Sequence, residues 1–454
     1  MPRTPAQPNR SLQSLLLQAG WTQDEFATRI NKLSGEAGPR LGLDRRSVTH
    51  WLVAGRRPRP PVPELAAEAL SRALGRTVTV AETGLGGNGR EHAVEPADVD
   101  VPAVLRLLSE FTPDRRRAAA AVFTLGALRY AAWPSEPTTR QARPLGAPGA
   151  ARLDEGAVAG AELSVRVFSD ADTAYGGGHV RPALSSILAH DIAPRLAAHG
   201  PARLSARMLK AATQLVYLCA FTCFDSRQDA MAERYYLTAL DLARHSADTG
   251  AYAITLRAMS VQAHALGHPR ESLHLAEAAE SAGYRALPAV HQAFLLGQLA
   301  VASAADGDRH GATSALVAAD RHLERATSSG TRKSPSTGRY HPASLAHQEA
   351  EVRALLGDRA GAVRALTVSL RRRPDTERRS RALTVARLAE LQLDAGHLDQ
   401  ATDSWSRLLD DYPNLSSGRV DLALRTLVSR VRPYASHAPA RDLLARAVEL
   451  RHQA

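Results

Sequence analysis

The sequence predicts an all-α chain in two parts, a small N-terminal helical domain and a long array of helical hairpins. Three observations lead there. Alanine is abundant while aromatic residues make up 5%, which favours helices over sheets. The first eighty residues break into short apolar-periodic runs separated by glycine-bearing turns. From about residue 205 onward a turn glycine recurs at Gly267, Gly307, Gly357 and Gly396, each followed five residues later by a small residue. A length of 454 residues accommodates one small domain and one long array, with enough core that no disulfide or metal staple is needed.

Each N-terminal element has a local reason. Ser11–Ala19 sets Leu12, Leu15 and Leu16 at helical spacing and stops at Gly20. Thr22 and Glu25 form a capping-box pair for a second helix, which carries Phe26, Ala27, Ile30 and Leu33 inward. Ser34–Leu43 holds Gly35, Gly38, Pro39 and Gly42 and is expected to be a loop of about ten residues. Asp44 caps a third helix, Arg45–Val53, with Val48, Trp51 and Leu52 on one side and Arg45, Arg46, Ser47, Thr49 and His50 on the other. Pro63–Leu74 adds a further helix, closed by Gly75.

Charge is concentrated in the same place. Residues 1–80 carry 12 Lys+Arg against 6 Asp+Glu, a net +6, while the other 374 carry 45 against 40, a net +5. More than half of the excess thus sits in under a fifth of the chain. Arg40, Arg45, Arg46, Arg56, Arg57 and Arg59 fall within twenty residues, opposed only by Asp44. A focused basic patch is the footprint of a polyanion partner. A helix with an apolar back and a basic, hydroxyl-rich front suits the major groove of double-stranded DNA. Arg45, Arg46, Ser47, Thr49 and His50 are the expected base contacts. Thr22 and Gln23, together with Arg56, Arg57 and Arg59 in a proline-stiffened segment, are the expected phosphate contacts.

These residues also carry a resemblance. Gly20-Trp21-Thr22-Gln23-Asp24-Glu25-Phe26-Ala27 resembles the opening of XRE-type (lambda-repressor-like) helix-turn-helix domains. Arg46-Ser47-Val48-Thr49-His50-Trp51-Leu52, then Gly55-Arg56-Arg57-Pro58, resembles their recognition helix and exit turn. The loop before the third helix is longer than the usual three or four residues of that family. The longer form, running on through Ala69-Leu70-Ser71-Arg72-Ala73-Leu74-Gly75-Arg76, is similar to actinobacterial regulators of the NsdA-like kind. That resemblance implies an atypical helix-turn-helix ahead of a long helical-repeat domain. Asp172–Pro182 and Leu237–Ala243 are similar to the same family.

Gly84–Asp100 and Pro134–Ala150 are rich in glycine, proline and polar residues and read as linkers around a helical pair, Pro102–Glu110 and Asp114–Ala132. Gly84, Gly86 and Gly89 match G-x-G-x-x-G after the short β-like run Thr77–Val80. A dinucleotide fold needs a helix to open at the third glycine, and Arg90–Asp100 is polar and contains Pro96. Residues 157–200 read as helical, broken at Tyr175–Pro182. That glycine-rich turn is expected to let two helices fold back, its alternative use being to bend amides around an anion.

The four turn glycines lie 40, 50 and 39 residues apart, the longest interval holding a Ser/Gly/Pro/basic insert at Thr327–Pro342 that reads as a loop. Seven residues before each glycine stands another small residue, Ser260, Ala300, Ala350 and Ala389. Two helices of a hairpin approach closely only where side chains are small. The spacing resembles the tetratricopeptide (TPR) helix pair, which makes the array a TPR-like α-solenoid. Leu204–Ala247 reads as a degenerate upstream unit, and Val420–Arg432 with Pro439–His452 as a last pair. The domains expected are thus an N-terminal helix-turn-helix domain over 1–83, linkers with a helical pair over 84–150, and the repeat domain over 151–454, with a loop at 327–342.

No H-E-x-x-H, G-x-S-x-G or Walker loop is present, so no enzyme, cofactor or metal is expected. Cys219 and Cys223, four apart on an apolar helix, read as packing residues. Arg371–Arg373, Arg378, Arg379 and Arg381 read as a solvated basic turn. No apolar run approaches the ~20 residues a bilayer requires, and a cytoplasmic chain without a membrane partner is expected. The function expected is that of a DNA-binding transcriptional regulator whose solenoid senses or docks a peptide, protein or small-molecule effector. The alternative is a protein–protein adaptor whose helix-turn-helix leaves DNA alone. Effector contacts are expected from exposed polar residues on the first helices of the hairpins, Arg257, Gln298, Arg353 and Gln392. A homodimer is expected on DNA, because one short helix reads too few bases for a unique site.

Overall fold

A computed structural model describes residues 8–37, 41–86, 100–110, 123–128, 152–282, 287–328 and 340–453. The described residues are helix and connecting segments, apart from one isolated parallel bridge between Arg152 and His199. The chain forms two compact units, one centred on the helices up to residue 86 and one on the helices from residue 155 onward.

In the first unit α1 spans Arg10–Ala19 and ends at Gly20, whose φ of 66° suits glycine. Asn9 caps it by accepting from the Leu12 amide at 3.0 Å, while its own amide donates to the Thr83 carbonyl at 2.8 Å. Helix α2 spans Gln23–Ala37 and opens on the expected capping box. Thr22 Oγ1 accepts from the Glu25 amide at 3.2 Å, and Glu25 Oε2 accepts from the Thr22 amide at 2.8 Å. Helix α3 is Arg45–Val53, held at its start by Asp44 Oδ1, which accepts from the Ser47 amide at 2.9 Å. Helix α4 is Val62–Leu74, stopped by Gly75 at φ 60°.

The loop expected at Ser34–Leu43 is shorter than its sequence suggests, because α2 continues through Gly35 to Ala37. The return chain is stitched to the side of that helix. Asn31 donates to the Leu43 carbonyl at 2.8 Å and accepts from the Leu43 amide at 3.0 Å. Buried Ser34 accepts from the Leu41 amide at 3.1 Å. These side chains satisfy the incoming backbone, so the helix gains its last turn. The β-like run Thr77–Val80 is likewise corrected. Val78 is buried and donates to Ser71 Oγ at 2.8 Å, and Thr79 and Glu82 form a second capping box that starts α5, Val80–Thr83. Gly84, at φ 64°, ends α5, and Leu85 is buried in the domain core beside Leu12, Phe26, Ile30, Val48 and Leu65. The first residues of the expected linker therefore belong to the domain. Gly89 lies outside the described residues.

Helix α6 spans Val101–Glu110. Of the expected helix Asp114–Ala132, the described part is a 3₁₀ turn at Leu125–Leu128 preceded by Phe123 and Thr124. The linker Pro134–Ala150 and most of the loop at 327–342 also lie outside the described residues.

The second unit opens with α7, Glu155–Tyr175, and α8, Gly177–Ile187, followed by a π-helical turn and the short α9, Ala193–Leu196. Helices α10, Ala202–Asp225, and α11, Asp229–His245, are the upstream pair. Four hairpins follow. They are α12 Thr249–Ala265 with α13 Pro269–Ser281, α14 Ala289–Asp306 with α15 Arg309–Ser328, α16 Pro342–Leu355 with α17 Arg359–Arg372, and α18 Arg378–Asp394 with α19 Leu398–Asp411. A last pair, α20 Gly418–Val431 and α21 Ala438–Gln453, ends the array. This is a helical-repeat solenoid of TPR-like spacing.

The repeat anchors behave as their spacing requires. Gly267, Gly307, Gly357 and Gly396 sit at φ 83°, 92°, 89° and 83°, the left-handed region that ends each first helix. The paired small residues Ala300 and Ala312, Ala350 and Ala362, and Ala389 and Ala401 are at most 1% exposed. In the first hairpin Ser260 and Ser272 replace alanine. Each hydroxyl donates to the other residue's carbonyl, at 2.8 and 3.0 Å, so the polar groups are satisfied without separating the helices.

The glycine-rich segment is more than a turn. Only Gly176, at φ 92°, interrupts the helix, and α8 starts at once with Pro182 inside it. Gly178 donates to the Ser416 carbonyl at 2.9 Å, and the Ser416 amide donates to the Tyr175 carbonyl at 2.8 Å. Gly177 donates to Asp225 Oδ2 at 2.9 Å, and Ser417 Oγ donates to Asp225 Oδ1 at 2.9 Å. Its amides are thus taken by the protein itself. Any Cβ at Gly176 would stand 2.6 Å from the Ser416 carbonyl oxygen, and one at Gly177 2.7 Å from the Thr222 carbonyl oxygen. The basic run is corrected by the same cluster. Arg379, 7% exposed, donates to Asp172 Oδ1 at 2.5 Å and lies 3.7 Å from Asp225. Arg373 pairs with Glu377 at 2.7 Å and Arg381 with Asp411 at 2.8 Å, leaving Arg371 and Arg372 as the solvated members.

Two glycine substitutions should therefore move stability in opposite directions. Gly177→Ala drives a Cβ into the Thr222 backbone and should cost roughly 1–3 kcal/mol, as overpacking does. Gly160 lies at an exposed position of α7, with nothing within 4 Å of its Cβ, and Gly160→Ala should gain about 0.5–1 kcal/mol. Thermal unfolding of the two variants checks both signs. A Gly177→Ala protein as stable as the parent would overturn the close-approach account.

Candidate functional site

The first candidate surface is the outer side of α3. Val48 and Trp51 turn into the core, while Arg45, Arg46 and His50 are exposed, and Arg56, Arg57 and Arg59 are exposed just beyond the helix. The hydroxyl residues of the face already have partners. Ser47 Oγ donates to Asp44 Oδ1 at 2.8 Å. The Thr49 hydroxyl lies 2.6 Å from Gln23 Oε1 and 2.9 Å from the Arg45 carbonyl oxygen. Thr22 is occupied with Glu25, whose carboxyl is held below the usual range by the Thr22 backbone and hydroxyl hydrogen bonds. The structure thus brings Thr49 and Gln23 together and leaves the arginines and His50 as the outward donors.

The second candidate site is a cavity of about 550 Å³ inside the repeat unit. The first helices of the hairpins, α12, α14, α16 and α18, line it, and α7 and α10 close the other side. Its apolar wall includes Leu218, Phe221, Val261, Phe294 and Leu383. Five arginines face it, Arg257, Arg373, Arg379, Arg387 and Arg419, against three carboxylates, Asp172, Glu351 and Glu377. Each of those carboxylates is engaged: Asp172 by Arg379, Glu377 by Arg373 and by His341 at 2.8 Å, and Glu351 by Arg387 at 3.1 Å. Arg257 instead stacks on Phe294, its guanidinium carbon 3.9 Å from the ring centroid. Burial pulls the Arg257 guanidinium below its usual value. His347, with Thr384 Oγ1 3.2 Å from its Nδ1, is pulled down to about 4, mainly by burial and further by Arg373, Arg419 and Arg387.

Of the four expected effector residues, Arg257 and Gln298 line this cavity and Arg353 and Gln392 do not. Gln298 and Gln392 are buried, against the expectation of exposure, at 4% and 9%. Gln298 donates to Ser260 Oγ at 3.1 Å, and Gln392 accepts from Ser404 Oγ at 2.7 Å inside the last repeat hairpin. Arg353 bridges Glu349 and Asp358, each at 2.8 Å, near the α16–α17 turn. Phe294, Tyr340, His347 and Gln348 are not legible as site residues in the sequence, because Phe294, His347 and Gln348 read as ordinary helix packing and Tyr340 as part of a loop insert. Gly297 was the one available signal. A Cβ there would collide with the Gln348 side-chain amide and stand 2.5 Å from Tyr340 Oη, so glycine makes room for both.

A family model described as "SP15 N-terminal domain" matches residues 12–86. Those bounds run from the first core leucine, Leu12, to just past the last, Leu85. No curated protein matches the chain. Among solved structures, one of nearly identical TPR-like repeats, assigned as a kinesin light chain of Podosopora anserina, is 16% identical over 44% of this chain and 94% of that one, with a TM-score of 0.31. The architecture stands on the hairpins described above. Stacked hairpins of this kind present extended concave surfaces for interaction.

The histidine in the cavity gives a pH dependence with a definite sign. His347 moves from 6.5 to about 4 on folding, so between those values the unfolded chain binds more protons. The stabilisation from keeping it neutral is complete above about 6.5 and is lost as pH falls toward 4. His347→Gln should flatten that part of the melting-temperature profile. Parallel profiles for parent and variant between pH 7 and pH 5 would rule this out.

Proposed function

We propose that the chain is a DNA-binding transcriptional regulator of the XRE type, similar to NsdA-like regulators, whose repeat cavity receives the effector. The observation that carries the DNA reading is the two-sided α3. Its back is locked into the core by Val48 and Trp51, and its front presents Arg45, Arg46 and His50 with Arg56 and Arg59 following. Four guanidinium groups and an imidazole suit base edges and the flanking phosphate backbone. Thr22 and Gln23, at the start of α2, stand where an amide-bearing helix end meets a phosphate. Ser47 and Thr49 act as struts that aim the helix, and two copies on neighbouring half-sites supply the length of sequence one helix cannot read.

The test is duplex selection with the full chain, followed by titration of the selected site against salt. Binding should weaken steeply with salt, because phosphate contacts release counterions. Arg46→Ala should lower discrimination between the selected and a random duplex about tenfold or more, since one bidentate base pairing is worth about 1–3 kcal/mol. Arg56→Ala should weaken binding to both duplexes alike and reduce the salt slope by about one. No salt-dependent duplex binding at all would leave the protein-adaptor reading in its place.

A further inference from the structure

The repeat cavity contains an arginine whose chemistry is unfinished. Arg257 has no carboxylate within ion-pair distance among the described residues, whereas Arg373, Arg379 and Arg387 of the same wall each pair with one, and Arg419 stacks on Phe224. Its Nε is buried without an acceptor. Its guanidinium lies over the negative face of the neutral Phe294 ring, 3.9 Å from the centroid, and Phe294 is itself held edge-on by Tyr340 at a centroid distance of 5.2 Å. Gln348, with its amide oxygen turned toward Arg257, comes to 3.3 Å of Nη2 while its nitrogen reaches Tyr340 Oη at 2.6 Å. That arrangement orients the guanidinium but supplies no negative charge. A buried cation without a counter-charge is costly, and an incoming anion removes the cost.

We infer that the cavity binds a small organic anion, an acidic group on a flat apolar body, with Arg257 as the residue that receives the acid. The volume of about 550 Å³ lies within the range of small-molecule sites. Phe221, Val261, Phe294 and Leu383 offer the apolar contact for the body. Gly297 keeps open the space in which Tyr340 and Gln348 frame the arginine. Neutral His347 adds a polar group that does not repel a cation-seeking ligand or compete for it. Carboxylate and phosphate monoester share this chemistry, and the test separates them. The inference rests on reading the cavity as the effector site and is independent of whether α3 binds DNA.

The experiment is calorimetric titration of the full-length protein with 2-naphthoate, indole-3-acetate and 1-naphthyl phosphate. The neutral controls are 2-naphthamide and indole-3-acetamide. At least one acid should bind about tenfold or more tightly than its neutral counterpart, the factor a charge-assisted hydrogen bond provides. Arg257→Gln should erase that preference, and Arg257→Lys should retain part of it. The unliganded Arg257→Gln protein should melt no lower than the parent, because it loses an uncompensated buried cation, which shows that the fold survives. Acids and amides binding alike, or none binding, would overturn the inference. So would a preference for acids that persists in Arg257→Gln, or capture of a free-carboxylate hexapeptide when all the small acids fail. Duplex binding measured on the same samples keeps the two readings apart: if it persists while the acids fail, only the cavity inference falls.

Discussion

The repeat unit depends on one buried ionic cluster. Arg379, from the first helix of the last hairpin, sits between Asp172 of α7 and Asp225 of α10. Burial alone would weaken that charge, yet the two carboxylates raise the guanidinium above its usual value. Two further donors are aimed at it. Gly177 and Ser417 each give a hydrogen bond to Asp225, and Phe221 covers the guanidinium with its ring, 4.9 Å from centroid to carbon. Removing one partner of such a set leaves uncompensated charge in the interior, which costs roughly 3–5 kcal/mol, so the ends of the array are joined by an interaction that does not tolerate partial loss. Two carboxylates against one guanidinium also explain the neutral donors. The cluster carries an excess negative charge, and a glycine amide and a serine hydroxyl are the groups that meet it.

That closure decides what the repeat array can hold. A solenoid with free ends presents a long open groove, which suits extended chains. Here α7 and α10 stand across from α12, α14, α16 and α18, so the concave side becomes a half-open cavity of about 550 Å³. Charges that would be solvated on an open groove are brought to face each other and must be paired. The wall obeys this rule at Arg373, Arg379 and Arg387. Arg257 breaks it, which is why that position, rather than the most exposed arginines, carries the argument about a ligand.

The sequence revealed the repeats because their signal is local. A glycine at positive φ and two small residues seven before and five after it are fixed by one hairpin's geometry, so Gly307, Ala300 and Ala312 can be read without knowing any neighbour. The clasp was illegible for the opposite reason. Asp172 and Arg379 are 207 residues apart, and no local spacing links them. Gly176–Gly178 looked like a turn because glycine records only that a Cβ is unwelcome, and the neighbour that excludes it, Ser416, comes from the far end of the unit. Arg379 was hidden in a basic run, where composition suggests solvent and only tertiary structure shows burial. In the first unit the same limit appeared at Ser34 and Asn31. Ser34 opens the expected loop and Asn31 lies on the expected second helix, and neither pattern shows that Leu41 and Leu43 take up their hydrogen bonds.

Hydrogen-bond accounting also changes how the face of α3 is understood. A polar residue on a recognition surface is free to read a partner only if the fold has left its donors unspent. Ser47 is spent on Asp44, and that bond, with the Ser47 amide on the same carboxylate, is what starts the helix. Thr49 is spent on Gln23, and that bond fixes the angle between α2 and α3. Both residues stand on the outward side for structural reasons that a sequence pattern cannot separate from recognition. Arg45, Arg46 and His50 are exposed, and Arg46 and His50 lie one turn apart on the same face of a stiffly mounted rod. A short-reaching threonine holds the rod in place, and the arginine does the reaching. The division follows from the geometry of α2 against α3.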